Sequence, residues 1–309
     1  MRTAPSDAGR LPSRIAFIGF GLIGGSLALA LRAAGSNARI AAWTPAGNGP
    51  REGLRRGIVD VAASTAADAV DDAGLVILAG PPMAVLDGLE ALAGPLRGAL
   101  APDVTITDVA STKAIIVARA EDLGLPFVGG HPMAGREITG VGAATADLFV
   151  DRPWVIIPAE GTKAADRDRV EALARAAGAR PVEVPAYEHD AAVAAISHLP
   201  LVASAALVES VLGDVETWRT ARGLTAGGWR DMTRLAHGDP EMGGDILATN
   251  ARPVASALRA YRDALDAWIE ALEQISAEDA PALPDAASAH RPRERLASAR
   301  ASLDEDPAR

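Results

Sequence analysis

Cysteine is absent from the 309 residues. That excludes a disulfide framework, a cysteine nucleophile, thiolate zinc and protein-ligated iron–sulfur clusters. Aromatic residues are scarce, at 4%, which leaves little material for stacking single-stranded nucleic acid. Positive charge is in deficit, with 30 Lys and Arg against 40 Asp and Glu and a net charge of −10. A surface for nucleic acid is therefore not expected. Metal-ligand patterns are missing too: there is no H-E-x-x-H and no carboxylate–histidine cluster at ligand spacing, so no metal is expected. Long apolar runs are few. The uncharged stretch Ile15–Leu31 follows Arg10 and Arg14 and could pass for a secretory core, but Gly19, Gly21, Gly24 and Gly25 suit a turn better and no small-residue cleavage site follows. No other segment reads as the ~20 apolar residues of a membrane span. The expectation is a cytoplasmic protein without membrane or nucleic-acid partners.

What is present is alternation. Residues 1–13 are polar and read as a flexible tail. Short apolar runs follow at Arg14–Phe20, Arg39–Thr44, Leu75–Gly80, Val104–Val109, Phe127–Gly130, Trp154–Pro158 and Arg180–Pro185. Between them lie helical patterns at Leu22–Ala34, Arg51–Arg56, Met83–Leu92, Thr112–Leu123 and Lys163–Ala177. Strands separated by helices imply βαβ units and a parallel sheet covered on both faces. From residue 186 the strand signal ends. Glu188–Leu212 and Asp239–Ile275 each read as one long Ala-, Val- and Leu-rich helix. The spacing predicts an α/β fold: a Rossmann-type doubly wound sheet over 14–185, an all-helical domain over 186–275 that pairs with a second copy, and a tail over 276–309.

The string Gly19-Phe20-Gly21-Leu22-Ile23-Gly24 fits G-x-G-x-x-G between a strand and a helix. In that context Gly19 permits the tight turn, Gly21 lets a pyrophosphate approach the backbone, and Gly24 lets helix and strand close together. The helix N-terminus supplies free N–H groups to the anion. Gly19, Gly21, Leu22, Ile23 and Gly24 are thus candidate contacts to NAD or NADP. The acid that reads the adenosine ribose of NAD belongs ~20 residues further on. Thr44 stands there, with Arg51 nearby to attract a 2′-phosphate or simply to sit in solvent.

Two polar clusters end strands at the carboxyl edge, where such sheets bind ligands. Thr107–Lys113 carries Asp108 and Ser111, candidates at the nicotinamide end of the cofactor. Gly129–Gly135 carries His131, whose imidazole suits a general base at neutral pH. In the helical half, Arg230 and Arg234 share a face, and Asp231 could pair with Arg234. An arginine there could clamp a substrate carboxylate. His189 and His198 are nine apart and point to opposite faces of a straight helix.

Taken together, GFGLIGGS (19–26), TDVASTK (107–113), GGHPMAGREITG (129–140), SHLP (197–200) and GGWRDMTRLAHGDPEMGGD (227–245) resemble the prephenate/arogenate dehydrogenase family of tyrosine biosynthesis. The resemblance runs from about Arg14 to Ile275. It implies oxidative decarboxylation of prephenate to 4-hydroxyphenylpyruvate, with hydride passing to NAD(P)+. It implies that His131 takes the proton of the ring hydroxyl and that Ser111 orients that hydroxyl. It further implies that Arg234 binds a substrate carboxylate, with Glu137, Asp231 and His198 around the substrate. Two positions depart from the pattern. Leu201 stands where many prephenate-using members have a second histidine, and Gly243 where many have tryptophan. Similar replacements occur in members that use arogenate, the alternative substrate. A β-hydroxyacid dehydrogenase of similar build would need a lysine on the first long helix, and Glu188–Leu212 has none. A dinucleotide-binding protein without activity is the remaining alternative.

Overall fold

The computed structural model describes residues 11–136, 138–277 and 289–304. In chain order the sheet half comprises β1 (Arg14–Ile18), α1 (Leu22–Ala33), β2 (Arg39–Trp43), α2 (Asn48–Arg55), β3 (Val61–Ala62), α3 (Ala66–Val70), β4 (Leu75–Leu78), α4 (Pro82–Ala93), β5 (Thr105–Asp108), α5 (Ala114–Asp122), β6 (Phe127–Pro132), β7 (Pro153–Pro158), α6 (Ala164–Ala176) and β8 (Arg180–Glu183). The helices that follow are α7 (Ala186–Val193), α8 (Leu199–Gly213), α9 (Val215–Ala221), α10 (Gly227–Thr233), α11 (Pro240–Thr249), α12 (Ala251–Ala277) and α13 (His290–Asp304).

One sheet of eight strands runs in the order β3-β2-β1-β4-β5-β6-β7-β8. The order reverses direction at β1, as in doubly wound folds. The central strands are apolar on both faces: β4, Leu75-Val76-Ile77-Leu78, is wholly buried, as strands sandwiched between helix layers must be. Two buried clusters form the layers, one around Phe17, Leu31 and Trp154 and one around Leu78, Leu89, Ile106 and Phe127.

Several features differ from the pattern expected. β7 pairs antiparallel with β6. A parallel return needs a crossover of a dozen residues or more, usually a helix. Between Pro132 and Pro153, among the described residues, only the three-residue turn Val141–Ala143 is helical, so the chain doubles back. The second long helix is in fact two, broken at Asn250. Pro253 causes the break, because its ring lacks an N–H and crowds the carbonyl four residues before it, that of Thr249. Finally, 290–304 of the expected tail is helix α13.

Two compact units divide after Val254. The first reaches past residue 185 because two carboxylates tie the helices to the sheet half. Neither α4 nor α5 has a side-chain cap of its own. Asp245 of α11 accepts the amide of Met83 at 3.1 Å. Asp190 of α7 accepts the amides of Lys113 and Ala114, each at 2.8 Å. Each supplies the acceptor that a helix N-terminus lacks. Within the second unit, the Arg295 guanidinium lies 4.8 Å over the ring of Trp268, a cation–π contact between α13 and α12.

The stretch Ala186–Gly213 is continuous helix, 28 residues long, and its most apolar 18 residues have a mean hydropathy of 1.9. In length and composition it does match a membrane span, contrary to the sequence expectation. Within α8 only Ser204 is fully buried; most of its apolar side chains are half-buried, and Leu212 is exposed.

Candidate active site

The glycine loop has the geometry its spacing predicts. Gly19 sits at φ +93°, and a Cβ there would lie 2.6 Å from the carbonyl carbon of Ala79; only glycine suits both demands. A Cβ on Gly24 would come 3.2 Å from the carbonyl of Gly19, whereas Gly21 faces open space. The α1 N-terminus has no side-chain cap and no acid in its first turn. Uncapped N–H groups beside an open glycine fit a dinucleotide pyrophosphate. The next two residues hold a second loop in place: Val141 packs against Gly25, and Ser26 Oγ accepts the amide of Thr145 at 3.1 Å.

At the ribose position β2 ends at Trp43 and is followed by Thr44, without a carboxylate. Thr44 Oγ1 accepts the amide of Gly47 at 3.0 Å. The exposed guanidinium of Arg51 donates to Ala46 O at 2.9 Å and to Asn48 Oδ1 at 2.7 Å. Helix α2, which carries it, presses on the glycine loop so closely that a Cβ on Gly49 would lie 2.1 Å from the carbonyl oxygen of Phe20.

Moving along the same edge, Asp108 ends β5. Its side chain is fully buried and forms an ion pair with Lys113, equally buried. It also accepts the amides of Gly130 at 3.0 Å and Ala110 at 2.9 Å. Its carboxylate thus serves the interior, and the expected contact with the cofactor finds no support in this placement. Gly130 has to be glycine, since a Cβ would meet Asp108 O at 2.6 Å and Trp154 Nε1 at 3.0 Å. Ser111 lies just beyond, with a buried Oγ that has no hydrogen-bond partner among the described residues. A buried hydroxyl without a partner is costly unless a ligand completes it.

His131 is the fifth residue of β6, paired with Val155, and its ring is half-buried. Its Nδ1 lies 2.8 Å from Nε2 of His189, and the rings meet edge to face. His189 Nδ1 in turn lies 2.8 Å from Oδ1 of Asp190. The imidazole pKa of His131 is held well below its usual 6.5, chiefly by burial and then by His189, Lys113 and His198. The ring is therefore neutral at physiological pH.

Neither His189 nor Asp190 was singled out from the sequence, because a straight helix sets positions 189 and 198 on opposite faces. The helix is not straight. Residues Ala194–His198 form a π turn, which absorbs the equivalent of about one residue and cuts the angle between the two from about 180° to about 80°. Both histidines are buried. Asn250, at the helix break, donates to the backbone carbonyl of Asp190 at 2.8 Å and to His198 Nδ1 at 3.1 Å. His198 therefore carries its proton on Nε2, a buried donor without a partner among the described residues. Burial, only partly offset by Asp190, lowers its pKa to about 4.

Asp231 on α10 and Arg234 at the start of the following 3-10 turn are both exposed. The turn packs on α8, where Ser204 Oγ accepts the amide of Ala236 at 3.0 Å. Glu137 lies outside the described residues.

A dinucleotide cradle and a neutral imidazole on one sheet edge define a nicotinamide-dependent oxidoreductase. The sequence profile "Prephenate dehydrogenase, nucleotide-binding domain" matches residues 27–183, and "Prephenate dehydrogenase, dimerization domain" matches 185–284. The prephenate dehydrogenase of Bacillus subtilis is 33% identical over 270 residues, 86% of this chain and 70% of that protein. The arogenate dehydrogenase of Synechocystis superposes with a TM-score of 0.72 at 31% identity, covering 94% of this chain and 99% of the other. The fold is shared with prephenate dehydrogenase from A. aeolicus, solved with hydroxyphenyl propionate and NAD+ (TM-score 0.81, 24% identity, 94% and 98% coverage). The chain belongs to the prephenate dehydrogenase family.

Proposed function

We propose that the protein oxidises prephenate at its ring hydroxyl and releases the ring carboxylate as CO2, giving 4-hydroxyphenylpyruvate for tyrosine synthesis. The observation that carries this is His131, one nitrogen engaged by His189 and the other left for a ligand, at the sheet edge that holds the glycine loop. Gly19–Gly24 would hold the pyrophosphate of a dinucleotide whose nicotinamide would supply the hydride acceptor. His131 takes the hydroxyl proton as the ring carbon becomes a carbonyl. The bond to the carboxylate then breaks, its electron pair makes the ring aromatic, and the oxygen regains a proton. Ser111, on the neighbouring strand end, supplies the hydroxyl that orients the substrate oxygen. Arg234 holds a carboxylate, with Asp231, Glu137 and the Nε2–H of His198 around it.

One observation favours arogenate as a second reading. A Cβ on Gly243 would lie 3.6 Å from Leu201 Cδ2, so the two departures from the prephenate pattern occupy one spot. A spectrophotometric assay crossing both substrates with NAD+ and NADP+ decides. Turnover of prephenate supports the first reading, a preference for arogenate the second, and no turnover of either rejects both.

The match to a dimerization domain supports a homodimer, as do Ile196 and Leu212, exposed on the long helix. His189, Asp190 and His198 turn the same long helix toward the site, which supports a soluble cytoplasmic enzyme rather than a span. Light scattering at micromolar protein tests the dimer, and a monomer mass rejects it.

A further inference from the structure

The reaction proposed above takes a proton from the substrate oxygen and later gives one back, so the proton has to be kept somewhere in between. We infer that His131, His189 and Asp190 form a closed proton store, in which the substrate proton arriving on His131 Nε2 is matched by transfer of the Nδ1 proton of His131 to His189 Nε2, leaving an imidazolium beside the Asp190 carboxylate. This rests on the reading of the reaction above and goes beyond it by assigning His189 and Asp190.

The hydrogen bonds fix the direction. A carboxylate can only accept. Asp190 Oδ1, 2.8 Å from His189 Nδ1, therefore places the proton of His189 on Nδ1. His189 Nε2 is then a lone pair, and the Nδ1 of His131 at 2.8 Å must carry the hydrogen. That leaves His131 Nε2 bare, as a base requires. Asp190 is held by two backbone amides, Lys113 and Ala114, so its orientation does not depend on the histidines. His189 is 3% and Asp190 2% exposed, so a proton on His189 does not exchange readily with solvent and remains available for return.

The charges around the pair agree. His131 faces His189 from α7, His198 from the π turn and Lys113 from the β5–α5 connection, with Asp190 behind His189 and Asp108 behind Lys113. Burial and the neighbouring cations disfavour a lasting charge on His131, whereas His189 has the carboxylate in contact. His189 is a positioning residue, since it acts through His131.

The test is His189→Asn, which cannot accept a proton. Nitrogen-15 NMR of the ligand-free protein reads the tautomers without any substrate. Protonated Nδ1 and bare Nε2 on His131 are expected, and the reverse overturns the inference even if prephenate is turned over. In single-turnover hydride transfer, the wild-type proton inventory should need two moving protons and His189→Asn one. The variant should lose about 10²-fold in rate while binding cofactor as wild type does. An unchanged inventory, or a rate within twofold of wild type, overturns the store. Absence of turnover in the wild type instead refutes the proposed reaction and leaves the tautomer measurement standing.

Discussion

Lys113 and Asp108 form an ion pair with both side chains entirely shut off from solvent, between the glycine pair 129–130 and the cap of α5. Burial raises the pKa of Asp108 and lowers that of Lys113, and each partner opposes the shift of the other. Such a pair adds little net stability over apolar groups of the same shape, but removing one member strands the other. Lys113→Met should cost about 3–5 kcal/mol in urea unfolding. The double variant Asp108→Asn with Lys113→Met should recover part of that. A single variant as stable as wild type would mean that the pair does not organise this edge. The same substitution removes a cation that lowers the pKa of His131, so the acid limb of activity should move to higher pH.

The depressed pKa of His131 has its own consequence. As the proposed base it works only when neutral, and burial holds its proton affinity well below the usual 6.5. kcat/KM should therefore stay level through pH 6.5 and fall only at lower pH, whereas an ordinary imidazole would be half protonated near pH ~6.5. Stability follows the same sign. His198, with a folded pKa of about 4, stays neutral in the fold while the unfolded chain takes up a proton below ~6.5. The unfolded state then binds more protons, and Tm should drop as pH falls from about 6.5 toward about 4. A kcat/KM profile with its midpoint at 6.5, or a Tm independent of pH across that window, contradicts this.

The sheet half could be read from sequence because its signals are local: short apolar runs bounded by glycine and proline, and a glycine spacing set between a strand and a helix. His131 was legible for the same reason, as a polar residue at a strand end. What escaped was long-range or broke a periodicity. The two-residue strand β3 is too short to show a pattern. The direction of β7 depends on the lack of a helix in the connection before it. His189 and Asp190 were hidden by a π turn that no periodicity reveals, and Asn250 by a proline three residues later. Asp108 looked like a ligand because it ends a strand, but its partner Lys113 is brought to it by the tight turn between them.

Asp245 caps α4 from across the interface, and its loss should be felt as stability rather than chemistry. Replacement of a capping acid by alanine typically costs about 0.5–2 kcal/mol. Asp245→Ala should lower the unfolding free energy by about 1 kcal/mol, with KM for the cofactor within twofold of wild type. The Met83 amide should also exchange hydrogen faster. Unchanged stability and unchanged exchange together would show that water replaces the carboxylate without loss.

Cofactor choice depends on the β2–α2 turn. NAD is selected where an acid accepts the ribose 2′-hydroxyl, and that same acid repels a 2′-phosphate. Here the position is Thr44, its hydroxyl engaged by the amide of Gly47. The guanidinium of Arg51 is tethered to the turn by Ala46 and Asn48, on a helix pressed against the glycine loop. A fork of N–H donors at that spot suits a phosphate better than a hydroxyl. NADP+ should therefore bind more tightly than NAD+. Arg51→Ala should weaken NADP+ by about tenfold, the worth of one charge-assisted contact, and leave NAD+ within twofold. Thr44→Asp should reverse the order by repelling the phosphate. Calorimetric titration with ADP-ribose and its 2′-phosphate measures both affinities without turnover. Tighter binding of the unphosphorylated ligand by the wild type would place Arg51 outside the ribose pocket.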